Sequence, residues 1–124
     1  MIHDYFSKVQ KKLDASRWII IEQSVNFDFV SEEMGIITGR LVFIDNSILE
    51  FMELVSKKEA EYRFQFMDKN KDMLFRWDSA PHHKEIATFP YHMHTKKGVK
   101  ESKKVNFVEI LDIVVGKVIE NLKL

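Results

Sequence analysis

The chain has 124 residues, of which 45% are hydrophobic and 31% charged, the profile of one domain with a core of its own. This excludes a disordered, collagen-like or coiled-coil chain, and a chain of this size buries roughly two-thirds of the surface its unfolded form exposes. Lys plus Arg and Asp plus Glu are equal at 19 each, which excludes a globally basic nucleic-acid binder but leaves room for a local basic patch. Cysteine is absent, so disulfide frameworks, thiolate zinc sites and cysteine nucleophiles are excluded too.

The apolar run Trp18-Ile19-Ile20-Ile21 is too short for a signal segment or a membrane span. A cytoplasmic protein is expected, with no membrane association and a mature start at or near Met1.

Ile2, Tyr5, Phe6, Val9 and Leu13 recur at helical spacing and predict a helix over 2–15. From Trp18 to Val30 the chain is rich in β-branched and aromatic residues. Val25, Phe27 and Phe29 alternate with Asn26 and Asp28, which predicts a strand. Residues 31–35 read as a turn, and Ile36 to Ile44 as a second strand. Asp45-Asn46-Ser47 is a tight turn signal. Ile48 to Val55 fits a helical stripe or a strand, and its neighbours favour a strand. Tyr62, Phe64 and Phe66 alternate with polar residues, as do Phe75 and Trp77, predicting a hairpin from Tyr62 to Asp78 that Pro81 ends.

Residues 79–104 read as a long His/Lys-rich loop holding both prolines and four of the five histidines. A loop of that length inside a compact domain usually serves a function. Asn106 then caps a last helix with Glu109 in the capping-box position, and Phe107, Ile110, Leu111, Val114, Val118 and Leu122 form its apolar stripe. Gly116 lies mid-helix, where it is expected to allow close approach to the sheet. The sum is an α+β fold: an antiparallel sheet of four to five strands, with an N-terminal and a C-terminal helix packed on one face. Residues 1–124 read as a single domain, with the functional loop at about 79–104.

Chemistry concentrates in that loop and the strand before it. His82, His83, His92 and His94 fall within thirteen positions. Imidazole titrates near neutrality, so it serves as base, acid or metal ligand without special tuning. In extended chain His92 and His94 point to the same side, whereas adjacent His82 and His83 point apart. Three of the four therefore converge easily, with one of His82/His83 as the third. Arg76 and Asp78 share one strand face, opposite Phe75 and Trp77. If that face is the open side of the sheet, all these groups surround one cleft.

Two imidazoles there would supply a base and an acid. Arg76 would hold an oxyanion or phosphate, and Asp78 would orient an imidazole. The alternative is that Arg76 and Asp78 merely pair, with the histidines exposed in a loop. No cofactor or metal is expected. If a metal binds, His92 and His94 with His82, another histidine or Asp78 are the candidate ligands. Lys96, Lys97 and Lys100, followed by Lys103 and Lys104, would track a phosphate backbone or form a solvated connector. The strand aromatics read as core. Phe89 and Tyr91 are candidates for a ligand contact or for packing beneath the loop, and His3 reads as a polar surface position.

The string FRWDSAPHH, followed by TFPYHMH and preceded by a tyrosine-bearing strand and the turn DKNKDMLF, resembles the TumE family. That family's pattern reads R-[FYW]-D-[NS]-A-P-H-H, then F-P-[HY]-H-x-H. The chain matches it at Arg76, Asp78, Ala80, Pro81, His82, His83, Phe89, Pro90, His92 and His94. Ser79 stands for a more usual asparagine and Tyr91 for a more usual histidine, and neither change removes one of the four imidazoles. The resemblance implies the toxin of a type II toxin–antitoxin pair, with a helix-turn-helix antitoxin as partner. By analogy with toxins of similar size, it suggests a metal-independent endoribonuclease acting on RNA. A non-enzymatic protein- or nucleotide-binding module and a metal-dependent hydrolase at the same histidines are the competing readings. Exposed strand edges leave homodimerisation open.

Overall fold

The computed structural model describes residues 1–122. Helix α1 (Ile2–Ala15) leads into seven strands: β1 (Ile20–Phe29), β2 (Met34–Phe43), β3 (Ile48–Ser56), β4 (Ala60–Met67), β5 (Met73–Asp78), β6 (His92–Thr95) and β7 (Gly98–Glu101). Helix α2 (Phe107–Leu122) closes the chain. The strands pair antiparallel in chain order, forming a seven-stranded meander. The α+β class and the two helices are as expected from the sequence, but the strand count is higher.

The two additional strands are β6 and β7, inside the stretch expected to be loop. The irregular connection is only residues 79–91 and 102–106. His92-Met93-His94-Thr95 carries no strong strand propensity of its own. It is recruited by its neighbour: Met93 lies opposite buried Trp77, which in turn lies opposite Phe64. Gly98 follows the Thr95-Lys96-Lys97 turn with φ of 119°, a conformation that favours glycine.

One face of the sheet is apolar and carries both helices. Phe6, Val9 and Leu13 of α1 and Phe107, Ile110 and Val114 of α2 meet Leu41, Phe51, Phe64 and Trp77 in one core. Asn106 Oδ1 accepts the Glu109 N–H at 2.9 Å, capping α2 as its sequence predicts. The opposite face is polar over much of its area, as antiparallel sheets allow. No helix among the described residues is long and apolar enough to cross a membrane.

Two glycines contrast. A Cβ on Gly39 would lie 2.6 Å from the Ser24 carbonyl oxygen and 2.8 Å from Phe51 Cζ. The bare backbone there lets the Phe51 ring lie across β2 and reach Phe107, 4.7 Å away between ring centroids. Gly116, by contrast, is exposed, and a Cβ would meet nothing within 4 Å. The expected close approach at Gly116 does not occur. Gly39→Ala should therefore destabilise the fold by about 1–3 kcal/mol through overpacking. Gly116→Ala should stabilise it by about 1 kcal/mol through helix propensity. Urea unfolding of the two variants reads both signs.

A polar joint ties the helices to the sheet. Glu53 of β3 is only 5% exposed, and its carboxylate accepts the Tyr5 hydroxyl at 2.6 Å. The same hydroxyl accepts the Phe107 N–H at 3.2 Å, at the start of α2. Burial pushes the Glu53 carboxyl up from its ordinary 4.5 to about 7, against the opposing effect of the Tyr5 hydrogen bond. The folded chain thus holds this proton more tightly than the unfolded chain does. The resulting stabilisation is complete below pH 4.5 and is lost as pH rises through about 7. Stability should fall across that window by an amount on the order of 3 kcal/mol, and Glu53→Gln should remove most of the decline in denaturant midpoints measured against pH.

Candidate functional site

The register of β4, β5 and β6 builds the site. Asp78 lies opposite His92 and Arg76 opposite His94, while Arg63 and Gln65 of β4 flank them on the other side. Directly paired residues share a face. Because Phe64, Trp77 and Met93 take the helix side, these polar residues all project from the other side. The expectation that Arg76 and Asp78 share the open face with His92 and His94 therefore matches the geometry.

His83 supplies the third imidazole. The connection from Ser79 to Tyr91 closes in successive turns, with the Ile86 N–H donated to His83 O, Phe89 N–H to Ile86 O and Tyr91 N–H to Thr88 O. Asp78 Oδ1 accepts the Ala80 N–H at 2.6 Å, fixing how the chain leaves β5. These turns bring His83 against His92 and His94. The ring centroids are 4.9 Å apart for His83–His92, 5.6 Å for His83–His94 and 4.9 Å for His92–His94. One ring nitrogen from each lies within 4.8 Å of the others. His82 is exposed and lies outside this trio. Sequence alone left His82 and His83 equivalent, and the turn at Pro81 separates them.

The rings differ in surroundings. His92 is 2% exposed, and its Nδ1 lies 2.9 Å from the Pro90 carbonyl oxygen. A carbonyl only accepts, so Nδ1 carries the hydrogen and, in the neutral ring, the lone pair is on Nε2. His83 Nδ1 lies 3.3 Å from Glu85 Oε1. His94 sits below the ordinary imidazole range, chiefly because partial burial disfavours its charged form. The Arg76 guanidinium and His92 push in the same direction, and Asp78 opposes them.

Arg76 has its Nε buried without a hydrogen-bond partner among the described residues, and Asp78 Oδ2 stands 3.6 Å away. This is an ion pair, not a hydrogen bond. The guanidinium is therefore held beside the imidazoles with its Nε buried and unpaired.

The lysines divide. Lys96 and Lys97 are exposed in the β6–β7 turn. Lys100 lies opposite Met93, which places it on the helix side of the sheet, away from the histidines. Tyr91 packs beneath the loop, stacking on Tyr62 with a 6° angle between rings, and Phe89 is exposed. Sequence reading missed Arg63 and Glu85. Arg63 was legible as the polar residue between Tyr62 and Phe64. Glu85 carried no signal without the turn that brings it to His83. A cleft of about 720 Å³ lies at the other end of the sheet, between the β2–β3 and β4–β5 turns and the end of α2, and contains no histidine.

Removing the Arg76 charge should relieve the pressure on His94. In Arg76→Gln the His94 ring should titrate closer to the ordinary imidazole range, and in Asp78→Asn further below it. NMR titration of the ring protons distinguishes the two directions.

A family model described as Toxin TumE matches residues 9–122 of the chain. No curated protein and no solved structure matches it.

Proposed function

The chain belongs to the TumE toxin family over residues 9–122, and from that premise we propose that it is the toxin of a toxin–antitoxin pair and cleaves RNA at His83, His94 and Arg76. The observation that carries the reading is the convergence of His83, His92 and His94 beside the Arg76 guanidinium. Cleavage of RNA needs a base, an acid and a cation, and it needs no outside nucleophile because the ribose supplies one.

His94 is the base. Its depressed affinity for protons keeps the ring neutral near pH 7. It takes the proton from a ribose 2′-hydroxyl, whose oxygen attacks the adjacent phosphorus. The bond from phosphorus to the 5′-oxygen breaks. His83 gives its proton to that leaving oxygen, with Glu85 orienting its ring from behind. The products are a 2′,3′-cyclic phosphate and a 5′-hydroxyl, and no metal takes part. Arg76 neutralises charge gathering on the phosphate oxygens. His92, too buried to meet a polymer, is a positioning residue that holds the other two rings apart. Arg63, Lys96 and Lys97 guide the backbone toward His83 and His94.

The partner implied by the family is an antitoxin, and a helix-turn-helix protein is the form we propose. Within the cell the cytoplasm is the compartment where such a toxin meets RNA. A non-enzymatic docking role for the same loop predicts affinity without turnover.

Purified protein should cleave mixed cellular RNA in the presence of chelator, leaving cyclic phosphate ends. His83→Ala and His94→Ala should each slow cleavage by about 100-fold or more, as loss of an acid or base does. His82→Ala should stay within a few-fold of the parent. Cleavage unaffected in a His83→Ala, His94→Ala double variant would sink the assignment, and absence of turnover with RNA affinity retained would favour the docking role.

A further inference from the structure

We infer that His83, His92 and His94 form a binding site for one first-row divalent cation of the zinc class, and that the bound ion silences the acid–base site. The silencing clause rests on the function proposed above, whereas the binding clause stands on geometry alone.

Three features point to the ion. First, one nitrogen from each ring already lies within 4.8 Å of the other two. Tetrahedral zinc with its ordinary bond lengths to imidazole needs nitrogens about 3.4 Å apart. Side-chain rotations closing the longest gap by about 1.4 Å would meet that need.

Second, the rings are supported as metal-binding imidazoles are. A ligating histidine typically donates its other N–H to a carbonyl or carboxylate behind it, which fixes the tautomer and the aim of the ring. His92 has the Pro90 carbonyl oxygen at 2.9 Å and His83 has the Glu85 carboxylate at 3.3 Å, both on Nδ1. Both Nε2 atoms are thereby left to bind.

Third, the donor set selects the ion. Three imidazoles suit zinc, copper or nickel, whereas magnesium and calcium prefer oxygen. Asp78 is engaged otherwise, accepting the Ala80 N–H through Oδ1 and facing Arg76 through Oδ2. The protein therefore supplies three ligands, and the fourth position falls to water.

An imidazole bound through its lone pair cannot accept a proton. An ion on the trio takes from His94 the electron pair that a base uses, and fixes His83 as a ligand instead of an acid. Occupancy and acid–base cleavage are mutually exclusive.

The test is zinc titration of the purified, chelator-stripped chain by calorimetry, with cobalt absorption as a second readout of tetrahedral coordination. One ion per chain is expected. His94→Ala should abolish one-to-one binding, Glu85→Gln should weaken it by about tenfold, and His82→Ala should leave it unchanged. These positions are at least partly exposed, and circular dichroism checks that each variant folds. Stoichiometric zinc should stop RNA cleavage and excess chelator should restore it. Binding no tighter in the parent than in His94→Ala would overturn the site, even with cleavage intact. Full binding with no cleavage under any condition would overturn the catalytic reading and the silencing, and uphold the site. Cleavage that rises with zinc would overturn the silencing and the metal-free mechanism together.

Discussion

Everything at the candidate site depends on the antiparallel register of β5 against β6. The pairs Asp78–His92 and Arg76–His94 exist only because Trp77 stands opposite Met93. Strand side chains alternate strictly, so a slip of β6 by one residue would send both histidines to the helix side and Met93 to the open face. Trp77 is nearly fully buried and lies against Phe64 of β4. Burying one such side chain is worth roughly 2–3 kcal/mol, which is more than a four-residue strand of mixed propensity can supply by itself. The hydrophobic core thus aims the polar site from the other face of the same strands.

The loop that completes the site is fastened from the helix side as well. Tyr62 of β4 reaches toward the start of α2, where its hydroxyl accepts the Val105 N–H at 3.4 Å. Its ring stacks on Tyr91, the residue immediately before β6. Its backbone N–H donates to Ser79 Oγ at 2.9 Å, at the beginning of the loop. Thr88 Oγ1 donates to Tyr91 O and accepts the Ser102 N–H, closing the far end against the segment that leads into α2. Both ends of residues 79–91 are therefore held by groups outside the loop, while its middle presents His83 to the opposite face. Imidazoles that must act together need this kind of support, since acid–base work fails when the groups drift beyond hydrogen-bond reach.

Much of this was legible in the sequence, and the gaps have physical causes. The Tyr62–Asp78 hairpin announces itself through strict alternation, and alternation also puts Arg76 with Asp78 and His92 with His94. What alternation could not supply was the pairing of β6 and β7. Their polar, lysine-rich residues read as connector, and their strand state comes from Trp77, fifteen or more positions away. The same limit applies to His82 and His83, adjacent residues of one type whose roles are separated only by the turns after Pro81. Lys100 was grouped with Lys96 and Lys97 by composition, but strand parity turns it to the other face. Gly116 was read for packing, yet its place on the helix is exposed. Local pattern identified the residue types and their faces, and long-range pairing decided which of them meet.

A neutral chain can still place cations where they matter, and here the sheet does so by aligning them across strands. Arg63 and Arg76 share the open face with the histidines, and Lys96 and Lys97 stand at the turn beyond them. Glu50 on the same face is committed to Arg40, at 3.6 Å, and Asp78 to Arg76 and the Ala80 N–H. Glu61 and Glu101, the latter directly opposite His92, lie on the same face, so charge of both signs surrounds the imidazoles. An RNA strand held there would meet few phosphate contacts, and affinity built on few contacts falls only gently with salt. Under the proposed function, such a surface would capture a short stretch of backbone beside the imidazoles and leave the rest of the polymer in solvent. That matches what a cleaving site requires, because long-range charge would add affinity equally to substrate and product without lowering the barrier between them.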